Sequence, residues 1–295
     1  MLVDNTFIVL VNWNLEQDTI ACIDSLLGAG VPENHIILVD NGSVDNSVKG
    51  IKARYAGKIQ LIENDSNLGY APASNQGIEL ALSQDAKWIF LLNNDTIVAE
   101  DLFEDLSKHA SAEGSFALLS PMIYYFDKPE TIWYAGDRLI PGTLITRRKF
   151  AGKENHPQLP EFYPVHFLSG CAMLVRRDVF EIIGMFDPDY VMYGEEIDFC
   201  WRAQQAGYRL ACITSGSIWH KVSRSADRVK PQTRYLRIRN QVRFYRKYSQ
   251  GLQLPLMVIF SFVRALVLGV GDIIARRSEL IPPLARGWID GWLNS

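Results

Sequence analysis

Cysteine is scarce in this chain: its 295 residues include four, and none of them lies in a CxxC pair or at another zinc-ligand spacing. Cys22, Cys171 and Cys212 stand among apolar or small residues, which predicts buried free thiols in a reducing compartment. A secretory signal is not indicated, because the apolar run at residues 7–11 is short and Asp4 precedes it in place of basic residues. The expected location is therefore the cytoplasm.

Neither sign of charge dominates overall, but the formal net charge of −3 hides a local asymmetry. Ten Lys and Arg residues lie between Lys221 and Lys247, against the single acid Asp227. A basic block of this density needs an anionic neighbour or open solvent. Hydrophobic residues make up 48% and charged residues 21%, which indicates a globular protein with one large or two fused α/β domains.

Internal repeats and low-complexity segments are also lacking, and the first half instead alternates short apolar runs with helical stretches. Strands are predicted at Phe7–Val11, His35–Val39, Lys58–Glu63 and Lys87–Leu92, and helices at Asp18–Leu27, Ser47–Tyr55 and Pro72–Gln84. This order predicts a Rossmann-like, mostly parallel sheet flanked by helices, in which ligands bind beyond the carboxyl ends of the strands. Polar clusters follow three of these strands, at residues 12–14, 40–43 and 93–95.

The middle of the chain is less regular. Residues 126–156 are rich in Gly, Pro and charge, which predicts an extended loop or a β excursion. A strand is predicted at Phe167–Val175, and helices at Arg177–Ile183 and Glu195–Ala206. The predicted organisation is two halves of one domain, at residues 1–115 and 116–225, followed by a basic and apolar helical segment at residues 226–295.

Asp95 follows an apolar strand in the sequence Asn93-Asn94-Asp95. A carboxylate at a sheet edge suits Mg²⁺ or Mn²⁺, which prefer oxygen ligands and share them with substrate phosphates. The alternative is a helix cap, in which Asp95 or Thr96 caps a helix that begins near Ala99.

Three acids, Glu195, Glu196 and Asp198, lie at the start of a predicted helix, where partial positive charge favours carboxylates. A transfer to a hydroxyl needs a base that removes the hydroxyl proton, and one of these carboxylates can serve. The alternative is that the acids are there for electrostatic reasons alone. His220 opens the basic block, and neutral imidazole is a frequent metal ligand, although a lone His is more often structural or solvated.

Seven motifs occur along the chain in one order. They are Val11-Asn12-Trp13-Asn14, Asp40-Asn41-Gly42-Ser43, Asn67-Leu68-Gly69-Tyr70 with Asn75-Gln76-Gly77, Leu92-Asn93-Asn94-Asp95, Gly170-Cys171-Ala172, residues 194–202, and Trp219-His220. Together, over roughly residues 5–250, they resemble family-2 glycosyltransferases. The resemblance is nearest to the bacterial rhamnosyltransferase-like branch.

The resemblance implies a glycosyltransferase A fold and an inverting transfer of a sugar, rhamnose among the candidates, from a UDP- or dTDP-linked donor. The implied acceptor is a hydroxyl of a lipid-linked molecule or polysaccharide in cell-surface glycan synthesis. The first half, residues 1–115, then binds the nucleotide sugar, and the second binds the acceptor. Asp40 is placed at the nucleobase and the backbone of Asn12, Trp13 and Asn14 along the nucleoside. The same site includes Asn67, Gly69, Asn75, Asn93 and Asn94.

The resemblance also makes Asp95 and His220 ligands of Mg²⁺ or Mn²⁺ and puts Glu196 in the position of the base. Two departures matter. The sequence Asn93-Asn94-Asp95 has one carboxylate where the family has a pair, so Asn93 is an alternative ribose contact. Glu196 stands where the family usually has Asp, so Glu195 and Asp198 stay open as the base.

Residues 255–275 are mostly apolar but include Arg264 and Asp272. A central Arg is costly in a spanning helix, so the segment predicts an interfacial helix on the anionic inner face of the cell membrane, where the protein is expected to be peripheral. The alternative is a helical hairpin packed on the catalytic domain. No nucleic-acid motif is recognised, so nucleic acid is not an expected partner.

Two other function classes stay open. A sugar nucleotidyltransferase shares the sheet and the metal but gives no reason for the acids at residues 195–198 or for the basic tail. A non-catalytic module would bind a sugar nucleotide without turning it over.

Overall fold

The computed structural model describes residues 1–110, 116–154, 159–222 and 230–293. The strands are β1 (Thr6–Asn12), β2 (Ile36–Asp40), β3 (Gln60–Glu63), β4 (Trp88–Asn93), β5 (Thr96–Val98), β6 (Leu118–Tyr125), β7 (Lys128–Tyr134), β8 (Asp137–Leu139), β9 (Thr146–Arg148), β10 (Phe162–Val165), β11 (Ala172–Arg176) and β12 (Leu210–His220). The α-helices are α1 (Glu16–Gly28), α2 (Ser47–Tyr55), α3 (Tyr70–Ser83), α4 (Leu102–Ala110), α5 (Arg177–Ile183), α6 (Glu195–Gln205), α7 (Pro231–Tyr248), α8 (Gln253–Ile274) and α9 (Ile281–Leu293).

Ten strands form one sheet in the order β10-β12-β6-β11-β4-β1-β2-β3, with β5 paired to β12 and β7 paired to β6. The part β3-β2-β1-β4 is parallel throughout. Strand β11 then runs antiparallel between β4 and β6, so the whole sheet is mixed. The predicted α/β class and its flanking helices are confirmed, and the carboxyl ends of β1, β2 and β4 share one edge.

The central strands are buried on both faces, which is why their sequences read as continuous apolar runs. Helix α3 lies close against β1 at Gly77, where an added Cβ would be 2.5 Å from Cγ1 of Val9. The packing therefore requires glycine at this position of the Asn75-Gln76-Gly77 motif.

Three local predictions differ from the structure. Strand β6 was not predicted. It contains Pro121, which has no backbone N–H to donate to a neighbouring strand, and the facing strand β12 has a bulge between Ile213 and Ser217 at that point. The strand predicted at Phe167–Val175 begins only at Ala172, after a turn at Gly170. The alternative of a helix capped by Asp95 is wrong, because β5 follows at once and α4 begins later.

The chain forms two compact units. One comprises Met1–Arg138, Arg148–Val191 and Glu195–Val222, and the other comprises Leu139–Arg147, Met192–Gly194 and the described residues of Ser223–Ser295. Residue 115, which ends the first predicted half, and residues 225 and 226, which flank the second predicted boundary, lie outside the described residues. These boundaries therefore stay predictions.

In the C-terminal unit, α7 and α9 pack at backbone distance. A Cβ on Gly291 would lie 2.6 Å from Cβ of Val242, and a Cβ on Gly287 would lie 2.7 Å from the Tyr235 carbonyl oxygen. Two glycines one turn apart thus form the contact face of α9, as small residues do wherever helices approach closely.

Helix α8 has one polar, buried face. Asp272 is 1% exposed and accepts hydrogen bonds from Arg234 at 2.7 Å and from Arg277 at 2.9 Å. Ser261 accepts the indole N–H of Trp288 at 3.0 Å and of Trp292 at 3.3 Å. The opposite face is apolar and exposed: it comprises Ile259, Phe262, Val263, Leu266, Val267, Val270, Ile273 and Ile274.

Candidate active site

The polar clusters that follow β1, β2 and β4 lie side by side. Asn12 pairs with Asp40 in the β1–β2 register, and Val11 pairs with Asn93 in the β1–β4 register. The neighbouring parallel strands therefore deliver all three clusters to one sheet edge.

Asn12 is fully buried and forms several side-chain hydrogen bonds at this edge. Its Oδ1 accepts hydrogen bonds from Thr19 Oγ1 at 2.8 Å and from Asn94 Nδ2 at 3.0 Å, and its Nδ2 donates to Ser43 Oγ at 3.1 Å. Asn94 also donates to Thr19 at 2.7 Å. The amides of Asn12 and Asn94 are thus bonded into the scaffold, and a contact between Asn94 and the donor stays a prediction.

Asp40 is 1% exposed, and its carboxylate accepts from the Ser43 backbone N–H at 3.0 Å. Beside it, Oδ1 of Asn14 accepts from the Val44 N–H at 2.7 Å, so the loops after β1 and β2 are joined. Trp13 lies between these buried or bonded residues and is 46% exposed. An exposed indole on a fixed loop offers a planar face on which a nucleobase can stack.

The loop after β3 is fixed by a second amide network. Oδ1 of Asn67 accepts from the Gly69 N–H at 2.9 Å and from Asn41 Nδ2 at 3.1 Å. Gly69 has φ of +94°, and a Cβ there would lie 2.6 Å from the Val191 carbonyl oxygen, so glycine is required. Asn41 stands in a quoted motif, yet its bridging role was not predicted from the sequence.

Both polar atoms of the Asn75 side-chain amide form hydrogen bonds with one residue, Phe186. Its Nδ2 donates to the Phe186 carbonyl at 2.9 Å, and its Oδ1 accepts from the Phe186 N–H at 3.1 Å. This pair of hydrogen bonds ties α3 to the turn after α5. The amide of Asn75 therefore has a structural role, and a contact with the nucleotide sugar stays a prediction.

Asp95 and His220 form a pair at the same edge. Strand β12 runs antiparallel to β5, which sets His220 opposite Thr96, and Nε2 of His220 lies 3.0 Å from Oδ1 of Asp95. The His220 side chain is 8% exposed and that of Asp95 is 16% exposed. The rings of Trp133 and His220 pack edge to face, with 4.5 Å between their centroids. The pair is therefore enclosed but still reachable from the polar edge.

Burial of the His220 ring disfavours its charged form, but the Cys171 sulfur and the Asp95 hydrogen bond outweigh burial and raise the pKa of His220 to about 10. Burial itself raises the pKa of the Cys171 thiol. Cys171 was predicted to be buried, but its position against the imidazole was not predicted. All four cysteines are free and buried, as expected.

A carboxylate beside an imidazole fits a divalent cation. Among the described residues, no group of three or more His, Cys, Asp or Glu side chains is arranged to hold a metal, and Asp95 and His220 are the candidate ligands at this edge. Mg²⁺ and Mn²⁺ commonly use one or two protein ligands and complete their shell with phosphate oxygens and water. Asn93, the last residue of β4, is partly exposed and lies two residues before Asp95 in the sequence.

Lys221 and Asp18 form a second ion pair, which was not predicted from the sequence. Lys221 Nζ lies 2.8 Å from Oδ1 of Asp18, and both side chains are nearly buried. The Lys221 N–H also donates to the Asp95 carbonyl at 2.9 Å. Lys221 thus fixes the end of β12 next to the His220–Asp95 pair.

The three acids at the start of α6 have different surroundings. Asp198 is fully buried and lies 2.7 Å from Arg202, which also donates to the Met185 carbonyl at 2.7 Å. This ion pair gives Asp198 a structural role, and the choice of base among the three acids stays a prediction. Glu195 is 4% exposed, whereas Glu196 is partly exposed.

Burial, together with the neighbouring charge of Glu196, holds the pKa of Glu195 well above its usual value. Among the described residues, none forms a hydrogen bond with Oε2 of Glu195. Burial thus disfavours the charged form of Glu195, and of the two glutamates Glu196 is the one that lies within reach of solvent.

The turn Gly170–Cys171 links the two parts of the site. A Cβ on Gly170 would lie 3.6 Å from Cβ of Glu196, and the Gly170 carbonyl accepts from the Tyr70 hydroxyl at 3.0 Å. The next residue, Cys171, contacts His220 and accepts from the Asn93 N–H at 2.8 Å through its carbonyl. One turn thus borders the acidic helix start on one side and the Asp95–His220 pair on the other.

A parallel half-sheet with a polar edge, continued by antiparallel strands that add an imidazole and an acidic helix start, defines the glycosyltransferase A class of fold. Solved structures agree. The chain aligns with GalNAc-T7 bound to UDP, GalNAc and Mn²⁺ (TM-score 0.58, 16% identity, 82% of this chain and 50% of that one). It also aligns with the mannosyltransferase PcManGT of Pyrobaculum calidifontis in complex with GDP-Man and Mn²⁺ (TM-score 0.56, 14% identity, 99% and 88%).

The chain belongs to glycosyl transferase family 2, whose model matches residues 7–184, and it is a glycosyltransferase. It is 28% identical over 213 residues to the N-acetylglucosaminyl-diphospho-decaprenol L-rhamnosyltransferase of Mycobacterium tuberculosis, covering 65% of this chain and 68% of that protein. It is 25% identical over 269 residues to the dTDP-rhamnosyl transferase RfbF of Shigella flexneri, covering 88% and 86%. The resemblance found in the sequence is confirmed.

Proposed function

We propose that this enzyme transfers a sugar, with inversion, from a nucleoside diphosphate donor to a hydroxyl of a lipid-linked or polysaccharide acceptor. The observation that carries the proposal is the Gly170–Cys171 turn, which borders both Glu196 and the Asp95–His220 pair. A base for the acceptor and a cation site for the diphosphate are the two groups that such a transfer needs. The two rhamnosyltransferases among its relatives favour dTDP-rhamnose as the donor.

In this mechanism, Trp13 stacks on the nucleobase beside Asp40, and Asn93 reaches the ribose or the diphosphate. Asp95 and His220 would hold Mg²⁺ or Mn²⁺, which would supply positive charge against the leaving diphosphate. His220 would bind a cation through a neutral ring nitrogen, so its imidazole would have to be deprotonated.

Glu196 acts on the acceptor. Its carboxylate takes the hydroxyl proton while the acceptor oxygen bonds to the anomeric carbon and the bond from that carbon to the diphosphate breaks. The products are the glycoside and a nucleoside diphosphate. Burial and the neighbouring Glu196 raise the pKa of Glu195, which disfavours a second negative charge beside the base.

The exposed face of α8 supports a place at the membrane. Among the described residues, α8 is the one helix long and apolar enough, by length and composition, to cross a membrane. Its other face contains the Asp272 ion pairs and Ser261, which are made with α7 and α9. Lifting those groups into lipid is costly, so we propose that α8 lies in the interface of the inner, cytoplasmic leaflet with its apolar face in the lipid.

The function is tested with the purified enzyme, Mn²⁺ and a panel of UDP- and dTDP-sugars that includes dTDP-rhamnose. The acceptor is a polyprenyl diphosphate N-acetylglucosamine. Donor binding is followed by thermal shift, because a ligand of the native state raises apparent stability. Acceptor-dependent release of nucleoside diphosphate is the expected product signal. Release of pyrophosphate would indicate a nucleotidyltransferase, and binding without any release would indicate a non-catalytic module.

A further inference from the structure

Asn240 of α7 is bonded to the loop that precedes the acidic helix start. Its Nδ2 donates to the Met192 carbonyl at 2.9 Å and to the Tyr193 carbonyl at 2.6 Å, and its Oδ1 accepts from Arg239 Nε at 2.8 Å. The side chain is 1% exposed. Both amide hydrogens and the amide oxygen of Asn240 therefore form hydrogen bonds within the protein. These bonds fix the orientation of the amide as well as its distance from the loop.

The loop that Asn240 holds has an unfavourable backbone. Tyr193 has φ of +70° and the β-branched Val191 has φ of +62°, in a region that such residues rarely adopt. A residue in this region is strained and persists only where its surroundings enforce it. Arg237 adds a second restraint from α7, because its guanidinium lies 4.6 Å from the centre of the Tyr193 ring.

The loop residues Met192–Gly194 belong to the C-terminal helical unit, together with Asn240 and Arg237. The peptide bond after Gly194 leads directly to Glu195 and then to Glu196. The conformation of the loop therefore sets where α6 begins and in which direction its first carboxylates point. A group that transfers a proton must be held to within about 0.5 Å of its productive position.

We propose that Asn240 is a positioning residue for the transfer step: by holding Met192–Gly194 it orients Glu196, which follows Gly194 by two residues. The proposal rests on Glu196 being the base. Donor affinity should not depend on Asn240, because Trp13, Asp95 and His220 lie on other elements. A structural role alone would instead reduce stability and leave the turnover of the folded enzyme unchanged.

The test compares Asn240→Ala with Ser261→Ala in the full-length enzyme. Ser261 is a matched control, because it is buried in the same unit and accepts two indole N–H bonds far from the loop in sequence. We expect Asn240→Ala to lower kcat about 10- to 100-fold, the loss that follows a misplacement of about 1 Å, with the donor Kd within about twofold of wild type. Ser261→Ala should lower Tm and keep kcat.

Arg237→Gln provides a milder second variant if Asn240→Ala does not fold. Removing the cation from the Tyr193 ring should lower kcat about two- to fivefold, in proportion to an exposed cation–π contact. The proposal is overturned if folded Asn240→Ala and Arg237→Gln keep wild-type kcat, or if Ser261→Ala loses as much kcat as Asn240→Ala. Glu196→Gln separates the two ideas: if it keeps full turnover, the assignment of the base is wrong regardless of Asn240.

Discussion

Nε2 of His220 lies 3.0 Å from Oδ1 of Asp95, at a sheet edge to which β4 and β12 contribute from distant parts of the sequence. Asp95→Asn keeps the shape of this site but removes its anionic ligand. We expect the Mn²⁺-dependent gain in donor affinity to fall by more than about tenfold, since even indirect metal contacts are worth that much. His220→Ala should have a smaller effect because Asp95 remains. Calorimetric titration with dTDP or UDP, with and without Mn²⁺, measures both effects. Wild-type metal dependence in Asp95→Asn would rule out this site.

Glu196→Gln should lower turnover about 10²- to 10⁴-fold with donor binding retained, because the amide keeps the shape but cannot accept a proton. The measurement is initial-rate nucleoside diphosphate release at saturating donor. Asp198→Asn is the contrasting variant: it breaks the buried pair with Arg202 and should cost about 3 kcal/mol of stability. The assignment of the base fails if Glu196→Gln turns over normally while Glu195→Gln does not.

Glu195 gives a pH-dependent stability. Its pKa is raised in the folded state, so its contribution to stability is fully present below the unfolded value of 4.5 and is lost as pH rises toward the folded pKa. Glu195→Gln removes this ionisation. The Tm of the variant minus that of wild type should therefore be larger at pH 8 than at pH 5. A difference that does not change with pH would show that Glu195 is not a buried neutral acid.

The exposed face of α8 should control membrane binding without affecting the fold. Changing Ile259, Leu266 and Val270 together to Gln should release the protein from anionic vesicles in a flotation assay, because the change removes exposed apolar surface. Tm should stay near the wild-type value. This variant is better than a deletion from Pro255 onward, which would strip α7 of its partner α9. Unchanged flotation would favour a role for this face in protein contacts.

Gly291 should not tolerate a methyl group. Gly291→Ala brings a Cβ within 2.7 Å of the Arg239 carbonyl oxygen and should cost about 1–3 kcal/mol by overpacking. Gly271→Ala in α8 is the control, since nothing lies within 4 Å of its Cβ position, and it should stabilise the protein by up to about 1 kcal/mol. Thermal unfolding of both variants is the measurement. Equal effects would contradict the close α7–α9 contact.

The sequence predicted the parallel half of the sheet well because its strands are buried on both faces and separated by clear helices. Residue types at the strand ends also predicted the cluster that contains Asn12, Asp40 and Asp95. The sequence did not predict which residues of that cluster face a ligand and which hold the scaffold together. Whether an amide such as Asn94 or Asn75 faces a ligand or bonds to other parts of the protein depends on contacts between elements distant in the sequence.

The acidic helix start shows the same limit. Glu195, Glu196 and Asp198 are equivalent in a one-dimensional pattern, and only burial and the Arg202 contact separate them. Strand β6 was missed because Pro121 argues against a strand unless the facing strand has a bulge, and that bulge begins at Ile213, 92 residues further along the chain. The contact between Asn240 and Met192 likewise has no sequence signature.

The position of β11 limits how this enzyme can be re-engineered. The strands of residues 6–93 form one end of the sheet and the strands that follow residue 115 form the other; the two blocks meet at the β4–β11 pair, and β5 pairs with β12. A chimera joined near residue 115 would therefore have to rebuild the β4–β11 and β5–β12 pairings as well as the intended recognition surface. New acceptor specificity is therefore better sought by grafting loops between fixed strands than by shuffling halves of the gene.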